Sequence, residues 1–199
     1  MVCHFDVQPT SLFVSEEAVN AFLSTLPLPR RERIEKTANK ELRRLRLAQE
    51  KALILALATL GEDYASLSIA YTDLGKPYVE DRPDLAISLS HRGIFGCALC
   101  VKSLDGIPVA CGVDIERVTP LDEKHQRLKN RFLPQDTPMT PHDFFLAWTK
   151  TEAFVKLTGA GMGGTKDLSQ GDHIHFSHSF LEDEQGNAYI LCLAHKKDV

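Results

Sequence analysis

Residues 107–118, IPVACGVDIERV, predict a strand of the second half of the chain. Successive side chains of an extended strand alternate between two faces, so Asp114 and Glu116 share one face and Val113 and Ile115 the other. Adjacent carboxylates repel and raise one another's pKa unless a cation lies between them. An oxygen-only pair suits Mg2+, which accepts phosphate oxygens as further ligands. The alternative is two exposed acids at a strand end.

A helix is predicted downstream, over residues 141–158. Trp148, Glu152 and Lys156 are spaced four apart in it and form one stripe along the helix. A metal-binding glutamate and a phosphate-binding lysine could therefore share one site. A solvated ion pair is the alternative. The tryptophan on the same stripe argues for an interior or cleft position instead.

The rest of the second half predicts one more helix and a closing pair of strands. Thr119 and Pro120 are typical of the cap and first residue of a helix, which we expect to run toward Lys129. HIHFSHSF (173–180) and AYILCLAH (188–195) are rich in residues that favour strands and predict an antiparallel pair.

The first half shows the same sequence of elements. SLFVS (11–15) predicts a short strand, Ser15 a helix cap for residues 16–25, and residues 30–60 a long helical pattern. Three strands are then predicted, separated by Gly-Lys-Pro and His-Arg-Gly turns: SLSIAYT (66–72), AISLSH (86–91) and FGCALCV (95–101).

Each half thus offers helices and about three strands, which predicts an α+β fold of two similar lobes. We place the boundary in SLDGI (103–107), giving an N-terminal lobe of residues 1–104 and a C-terminal lobe of residues 105–199.

Composition limits the classes of partner. The 199 residues are 43% hydrophobic and 25% charged, with a formal net charge of -4, so no global positive field attracts nucleic acid or an anionic membrane. No apolar run approaches the roughly 20 residues of a membrane span, and the N-terminus lacks a signal-peptide pattern. We therefore expect a cytoplasmic protein. Most of the five cysteines lie in apolar stretches and are expected to be buried thiols.

A further group of side chains offers hydrogen-bond donors for phosphate oxygens. Lys76 lies in the Gly-Lys-Pro turn, and Ser90, His91 and Arg92 lie at a predicted strand end. Taken singly, each is a weak signal, because a turn lysine is usually only solvated.

In their order and spacing, four segments resemble the Sfp-type 4'-phosphopantetheinyl transferases. That family has a GKP turn, an SHS-like strand end, a G(V/I)DIE strand and a W-x-x-K-E-x-x-x-K helix. The matching residues here are 75–77, 87–91, 112–116 and 148–156. Four motifs in the same order make chance agreement improbable.

The resemblance implies two lobes related by a pseudo-twofold axis, with coenzyme A (CoA) and Mg2+, or alternatively Mn2+, in the cleft between them. Asp114, Glu116 and Glu152 would hold the metal. Glu152 would also be the base for a carrier-protein serine, which attacks the β-phosphorus of CoA. Lys156 would assist the departure of 3',5'-ADP.

The CoA phosphates would be held by Lys76, Ser90 and His91, and more loosely by Arg44. Arg44 belongs to a cluster of basic residues that could instead be a solvated helix face or meet an acidic carrier. The cluster comprises Arg30, Arg31, Arg33, Arg43, Arg44 and Arg46. The implied partners are CoA and an apo acyl or peptidyl carrier of fatty-acid, polyketide or nonribosomal-peptide synthesis. The length of the chain favours a monomer.

The sequence departs from the family pattern at two places. Thr151 replaces the lysine before the helix glutamate, and Lys150 points about 100° away around the helix. Ser88 and Arg92 replace the usual Asn and second Ser of the strand end. Because of Thr151, an alternative function is that of a non-catalytic relative, which binds CoA or a carrier without transfer. An unrelated Mg2+-dependent nucleotide hydrolase is a further alternative.

Three other patterns are interpreted as structural. Cys97 and Cys100 have metal-like spacing, but residues three apart on a strand face opposite sides. Residues 159–164 are glycine-rich, but follow a helix instead of opening one. Exposed strand positions account better than a metal site for His173, His175 and His178.

Overall fold

The computed structural model describes residues 1–163 and 173–196. Its strands are β1 (Val2–Pro9), β2 (Ile69–Tyr71), β3 (Pro77–Val79), β4 (Leu85–Arg92), β5 (Phe95–Lys102), β6 (Cys111–Arg117), β7 (Ile174–Glu182) and β8 (Ala188–Lys196). Its α-helices are α1 (Glu16–Ser24), α2 (Leu28–Glu35), α3 (Lys40–Thr59), α4 (Glu123–Phe132) and α5 (Pro141–Thr158). The fold is a mixture of helices and small sheets.

Two three-stranded sheets share one connectivity. The strand order is β1-β5-β4 in the first sheet and β6-β8-β7 in the second, and β2 pairs with β3 in a separate hairpin. All these pairings are antiparallel. In each large sheet the first strand of the half lies at one edge, and the last strand lies in the middle.

The long helices α3 and α5 lie close against these sheets. A Cβ built on Gly96 of β5 would lie 2.3 Å from the backbone nitrogen of Gln49 on α3, and one on Gly112 of β6 would lie 2.0 Å from the backbone oxygen of Ala153 on α5. Any larger residue would force the helix off the strand. Gly112 therefore allows α5 to approach β6, the strand that carries Asp114 and Glu116.

Apolar side chains from both sheets form a shared core, which includes Leu99 from β5, Val113 from β6 and Leu191 from β8. Strands β4 and β6 run side by side at its edge, where the backbone N–H of Val113 donates to Ser88 Oγ at 3.0 Å. The core therefore brings the two strands that carry the predicted site residues together.

Several predicted elements are confirmed. Helix α5 occupies residues 141–158 with Thr140 as its cap, and Ser15 caps α1. The predicted strands of β4 and β5 are present, as is the closing pair β7 and β8. Cys97, Cys100, Cys111 and Cys192 are buried, as predicted, whereas Cys3 is exposed.

The predicted strand over residues 11–15 is wrong. Thr10–Phe13 form a 3-10 turn, and the backbone N–H of Thr10 donates to the carbonyl of Ile94 at 2.8 Å. The first strand is β1, whose eight residues all pair with β5. Its alternating Cys-His-Phe-Asp-Val-Gln pattern is the period-two signal that could have identified it.

The helix predicted over residues 30–60 is interrupted, because Asn39 caps a new helix by accepting a hydrogen bond from the backbone N–H of Leu42 at 2.9 Å. The prediction that a helix starts at Thr119 and Pro120 is also wrong. Helix α4 begins at Glu123, since the Asp122 side chain forms a capping box. The strand predicted over 107–118 is the shorter β6.

No helix within residues 1–163 and 173–196 combines the length and apolarity needed to cross a membrane.

Candidate active site

Asp114, Ser90 and Lys156 meet where β4, β6 and α5 converge. Asp114 Oδ1 accepts hydrogen bonds from Ser90 Oγ at 2.9 Å and from Lys156 Nζ at 2.7 Å. Lys156 Nζ also donates to Ser90 Oγ at 2.7 Å. Asp114 is only 5% exposed. Its second oxygen, Oδ2, is buried and lacks a hydrogen-bond partner among the described residues.

Glu116 lies two residues further along the same strand. Its Oε2 is 2.8 Å from Arg92 Nε, an ion pair whose geometry does not make a hydrogen bond. Burial, reinforced by the charges of Asp114 and Glu152, raises the pKa of Glu116 from 4.5 to about 7, although Arg92 opposes the shift. The predicted proximity of the Asp114 and Glu116 carboxylates is thus confirmed.

Glu152 and Lys156 join this group from one face of α5. Burial, followed by the charge of Asp114, raises the pKa of Glu152 above its usual value. Burial alone would lower the pKa of Lys156, but its contacts with Asp114 outweigh burial and raise it. The ammonium therefore stays charged at neutral pH.

The carboxylates of Asp114, Glu116 and Glu152, which we call the carboxylate cluster, are the type of ligand that a hard divalent cation prefers. They are oxygen donors that destabilise one another's charge, and Asp114 Oδ2 leaves a buried acceptor unpaired. Within the described residues, however, no three His, Cys, Asp or Glu side chains are gathered closely enough to form a ligand cage. Lys156 and Arg92 supply the positive charge instead.

A cavity of about 200 Å³ lies on the other side of β4. Arg33, Arg46 and His91 line it, together with Arg30, Ile34, Gln49, Glu50, Tyr71, Gly75, Pro77 and Leu89. Burial lowers the pKa of His91, and the charges of Lys156 and Arg46 lower it further. The cavity is cationic, and we call it the arginine cavity.

A second cavity, of about 210 Å³, continues from the first toward α5. The two share Gly75, Pro77 and Leu89 in their walls. The second is also lined by Lys76 and Lys156. We call these two adjoining cavities the cleft. It extends from the arginines to Lys156, whose ammonium contacts Asp114.

Lys76 lies in this cleft, but contacts the protein backbone. Its Nζ donates to the carbonyl oxygen of Leu157 at 2.5 Å, which satisfies one carbonyl at the C-terminal end of α5. Gly75 adopts φ +80 in the turn, and Gly159 ends the helix with φ +70. Burial lowers the pKa of Lys76. Lys76 therefore connects the turn to the C-terminal end of α5.

Arg44 lies outside the cleft. Its Nη2 donates to the carbonyl of Val14 at 3.0 Å, and it lines a separate cavity beside Ser15 and Asn20. Two residues later on the same helix, Arg46 lines the arginine cavity. From the sequence, Arg33 and Arg46 could be recognised only as members of the basic cluster, and no pattern indicated Tyr71. The helical step of about 100° per residue could have separated Arg44 from Arg46.

Neither Thr151, which occupies the position of the family's lysine, nor the neighbouring Lys150 contacts the carboxylates. Thr151 is 2% exposed, and its hydroxyl donates to the carbonyl of Ala147 at 2.9 Å. Lys150 Nζ lies 4.9 Å from the ring centroid of Phe176. The departure from the family pattern at position 151 is therefore not compensated by its neighbour.

The remaining predictions concern structural residues. Burial raises the pKa of both Cys97 and Cys100, as expected of packed thiols. His175 is exposed, whereas His178 is partly buried and burial lowers its pKa. Of the glycine-rich segment 159–164, residue 164 lies outside the described residues.

Comparison with known proteins finds similarity to one family. Residues 110–198 match the model of the 4'-phosphopantetheinyl transferase superfamily. A 4'-phosphopantetheinyl transferase of Bacillus pumilus is 36% identical over 97 residues, 44% of this chain and 38% of that protein. The transferase Sfp of Bacillus subtilis is 24% identical over 159 residues, 75% of this chain and 67% of Sfp. A putative transferase of Synechocystis is 29% identical over 174 residues, 82% and 68% of the two chains.

The chain thus spans between 38% and 68% of the length of these three relatives. The family model covers β6 through β8, which includes Asp114, Glu116, Glu152 and Lys156.

Proposed function

From its similarity to the Sfp-type 4'-phosphopantetheinyl transferases, we propose that this chain transfers the 4'-phosphopantetheine group of CoA to a serine of an apo carrier protein. The observation that carries the proposal is the cleft itself. Its cationic end suits the phosphorylated adenosine of CoA, and its other end brings Lys156 against the carboxylate strand. An elongated anionic substrate would therefore present its pyrophosphate to the carboxylate cluster.

In the proposed reaction the carrier serine oxygen forms a bond to the β-phosphorus of CoA. The bond from that phosphorus to the oxygen bridging to the α-phosphorus breaks, and 3',5'-ADP leaves with the bridging oxygen. Glu152 takes the serine proton, directly or through water, and its raised pKa brings it closer to working pH. Lys156, held in the cleft as an ammonium, stabilises the charge of the leaving group.

Asp114, Glu116 and Glu152 would hold Mg2+, with Mn2+ as the alternative. The ion would supply positive charge to the pyrophosphate oxygens. Before it enters, Lys156 and Arg92 occupy the carboxylates. We therefore propose that Lys156 and Arg92 move away from the carboxylates when the substrate binds, which would leave these oxygens available to hold the ion.

As the family resemblance suggests, we assign the CoA phosphates to Lys76 and Ser90 near Lys156 and to His91 in the arginine cavity. Arg46 and Arg33 line the arginine cavity, so we transfer to them the arginine contact first expected of Arg44. Arg44 itself lines the separate cavity beside Ser15 and Asn20.

For the architecture we propose two lobes, residues 1–104 and 105–199, related by a pseudo-twofold axis. The matching strand orders β1-β5-β4 and β6-β8-β7 support this proposal. We further propose that the chain acts as a monomer in the cytoplasm.

Helix α4 offers a surface for the carrier. It carries Lys124, Arg127, Lys129 and Arg131, but Glu123 is its sole acidic residue. An acidic carrier would be attracted to this helix in a chain whose formal net charge is -4.

A non-catalytic relative is the second candidate, and the buried Thr151 is the observation that favours it. Such a protein would bind CoA without releasing 3',5'-ADP.

One experiment separates these candidates. Apo acyl and apo peptidyl carrier proteins are incubated with this protein, CoA and Mg2+, and the carriers are then analysed by intact mass and the solution for 3',5'-ADP. The proposal predicts that a carrier gains one phosphopantetheine, that an equal amount of 3',5'-ADP appears, and that EDTA abolishes both. CoA binding without either product would favour the non-catalytic relative. Turnover of nucleotide without a carrier would indicate a hydrolase.

A further inference from the structure

Tyr71, at the end of β2, lies in the wall of the arginine cavity between two arginines of α2. Arg30 Nη1 donates a hydrogen bond to the Tyr71 hydroxyl oxygen. The Arg33 guanidinium carbon lies 3.6 Å from the centroid of the Tyr71 ring, within the range of a cation–π contact. One tyrosine therefore fixes the position of one guanidinium and is fixed by the other.

Arg30 is held rigidly beneath this tyrosine. Glu50 on α3 accepts two parallel hydrogen bonds from it, at 2.7 Å from Nε and 2.6 Å from Nη2. The hydroxyl of Tyr64 donates to the same carboxylate. Burial would lower the pKa of Arg30, but Glu50 outweighs it and keeps the guanidinium charged. Glu50 neutralises this charge, so Arg30 acts as a support and contributes little to the positive potential of the cavity.

Two groups remain available to a ligand. The Tyr71 oxygen accepts its hydrogen bond from Arg30, so its own O–H proton is free, and no acceptor for it is present in residues 1–163 and 173–196. Arg33 likewise has no carboxylate partner within that part of the chain. An O–H donor and a guanidinium therefore lie side by side on one cavity wall. This is a donor set for an anion with several acceptor oxygens.

We propose that Tyr71 determines specificity in this cavity: its hydroxyl, together with the Arg33 guanidinium stacked on its ring, binds a terminal phosphate monoester and selects CoA over dephospho-CoA. This inference rests on the proposed function. Dephospho-CoA lacks the 3'-phosphate and would leave both groups without an anionic partner. Such unpaired polar groups are the usual reason why a site rejects a smaller analogue.

The experiment measures calorimetric dissociation constants for CoA and dephospho-CoA with the full chain. Tyr71→Phe keeps the ring but removes the hydroxyl, and should reduce the preference for CoA about tenfold. Tyr71→Leu also removes the platform for Arg33, and should reduce it about fivefold further. Binding of dephospho-CoA should change by less than about twofold, because the contacts removed serve the phosphate.

Tyr78→Phe is the matched control. Tyr78 lies on the partner strand β3, is 43% exposed and is not among the residues that line the arginine cavity. It should keep the wild-type preference. In transfer assays, Tyr71→Phe should raise the KM for CoA while largely retaining kcat at saturating CoA. Thermal unfolding of each variant monitors folding.

The outcomes distinguish the two levels of the argument. The role of Tyr71 would be overturned if the wild-type protein bound CoA and dephospho-CoA equally, or if Tyr71→Phe kept the preference for CoA. Neither result would contradict the proposed function. Equal weakening of both ligands would show a merely structural role and would overturn the role of Tyr71 too. Absence of any CoA binding by the wild type would overturn the proposed function as well.

Discussion

Glu50 and Glu152 are comparable carboxylates in contrasting surroundings. Each lies on the long helix that packs against one three-stranded sheet, and neither is fully exposed. Glu50 is 3% exposed, and its oxygens accept hydrogen bonds from Arg30 and Tyr64. Glu152 makes no hydrogen bond to another described residue, and burial and Asp114 raise its pKa.

The difference separates charges that hold the fold from charges kept for chemistry. A buried carboxylate whose oxygens all accept hydrogen bonds is stable in its charged form. Its removal leaves the partner's buried charge uncompensated, which lowers the free energy of unfolding. A carboxylate that repels its neighbours is unfavourable to the free protein. Such groups concentrate at functional sites, where a ligand or metal relieves the repulsion. The binding of a cation to the carboxylate cluster should therefore be favourable, because it relieves this repulsion.

The largest effect tests the functional side of this comparison. Glu152→Gln should lower the transfer rate by about 10²- to 10⁴-fold, because an amide cannot accept the serine proton. The fold should be kept, since the charge removed was repelled by Asp114. Initial rates of carrier modification measure the loss. Glu182→Gln, at the exposed end of β7, is the control and should retain full activity. Undiminished transfer by Glu152→Gln would remove its assignment as base.

The structural side is tested by Glu50→Gln. It leaves Arg30 buried beside an amide, and should lower the free energy of unfolding by about 3–5 kcal/mol. Urea denaturation measures the change. Glu41→Gln, in the exposed first turn of the same helix, should cost at most about 1 kcal/mol. A Glu50→Gln variant as stable as the wild type would show that the two carboxylates do not differ as described.

Two lysines of α5 sharpen the comparison within one helix. Lys156 contacts Asp114, whereas Lys150 lies over Phe176. Lys156→Gln should lower kcat by about 10²-fold, because a charge that stabilises the leaving group is lost. Lys150→Gln should change kcat by less than about twofold, because its ammonium contacts no site residue. Equal losses in the two variants would mean that Lys156 has no special role.

The smallest effect is a dependence on pH. The folded protein raises the pKa of Glu116 from 4.5 to about 7, so between these values it holds a proton that the unfolded chain has released. This contribution to metal-free stability is therefore greatest at low pH and falls as pH rises through that window. Thermal unfolding at pH 5.5 and pH 8 measures the fall.

Mg2+ would displace that proton, so the ion should raise the melting temperature more at pH 8 than at pH 6. Glu116→Gln is the control and should weaken both the pH dependence and the Mg2+ effect. A melting temperature that Mg2+ leaves unchanged at both pH values would contradict a metal-binding role for the cluster.

Local patterns in the sequence predicted much of this molecule. The 141–158 helix was predictable because Thr140 caps it and Pro141 suits its first position. The proximity of Asp114 and Glu116 followed from strand alternation. By contrast, competing caps shifted two helix starts, because Asn39 and Asp122 offered better side-chain acceptors than the pattern around them suggested.

Contacts that cross the chain could not be predicted in the same way. Lys156 reaches Ser90 across 66 positions, and Lys76 reaches Leu157 across 81. Arg30 meets Tyr71 across 41. Local periodicity carries no information on such pairs, which depend on how the two sheets pack. This is why Tyr71 could not be identified from the sequence, whereas the helical step could have distinguished Arg46 from Arg44.

The most direct test of the account measures CoA affinity and transfer rate together in Asp114→Asn. If the arginine end of the cleft binds and the carboxylate end transfers, metal-free CoA affinity should stay within about threefold of the wild type, because Asn can still accept from Ser90 and Lys156. Transfer at saturating CoA should fall about 10³-fold. Transfer at the wild-type rate would contradict the account, and so would a loss of CoA binding as large as the loss of rate.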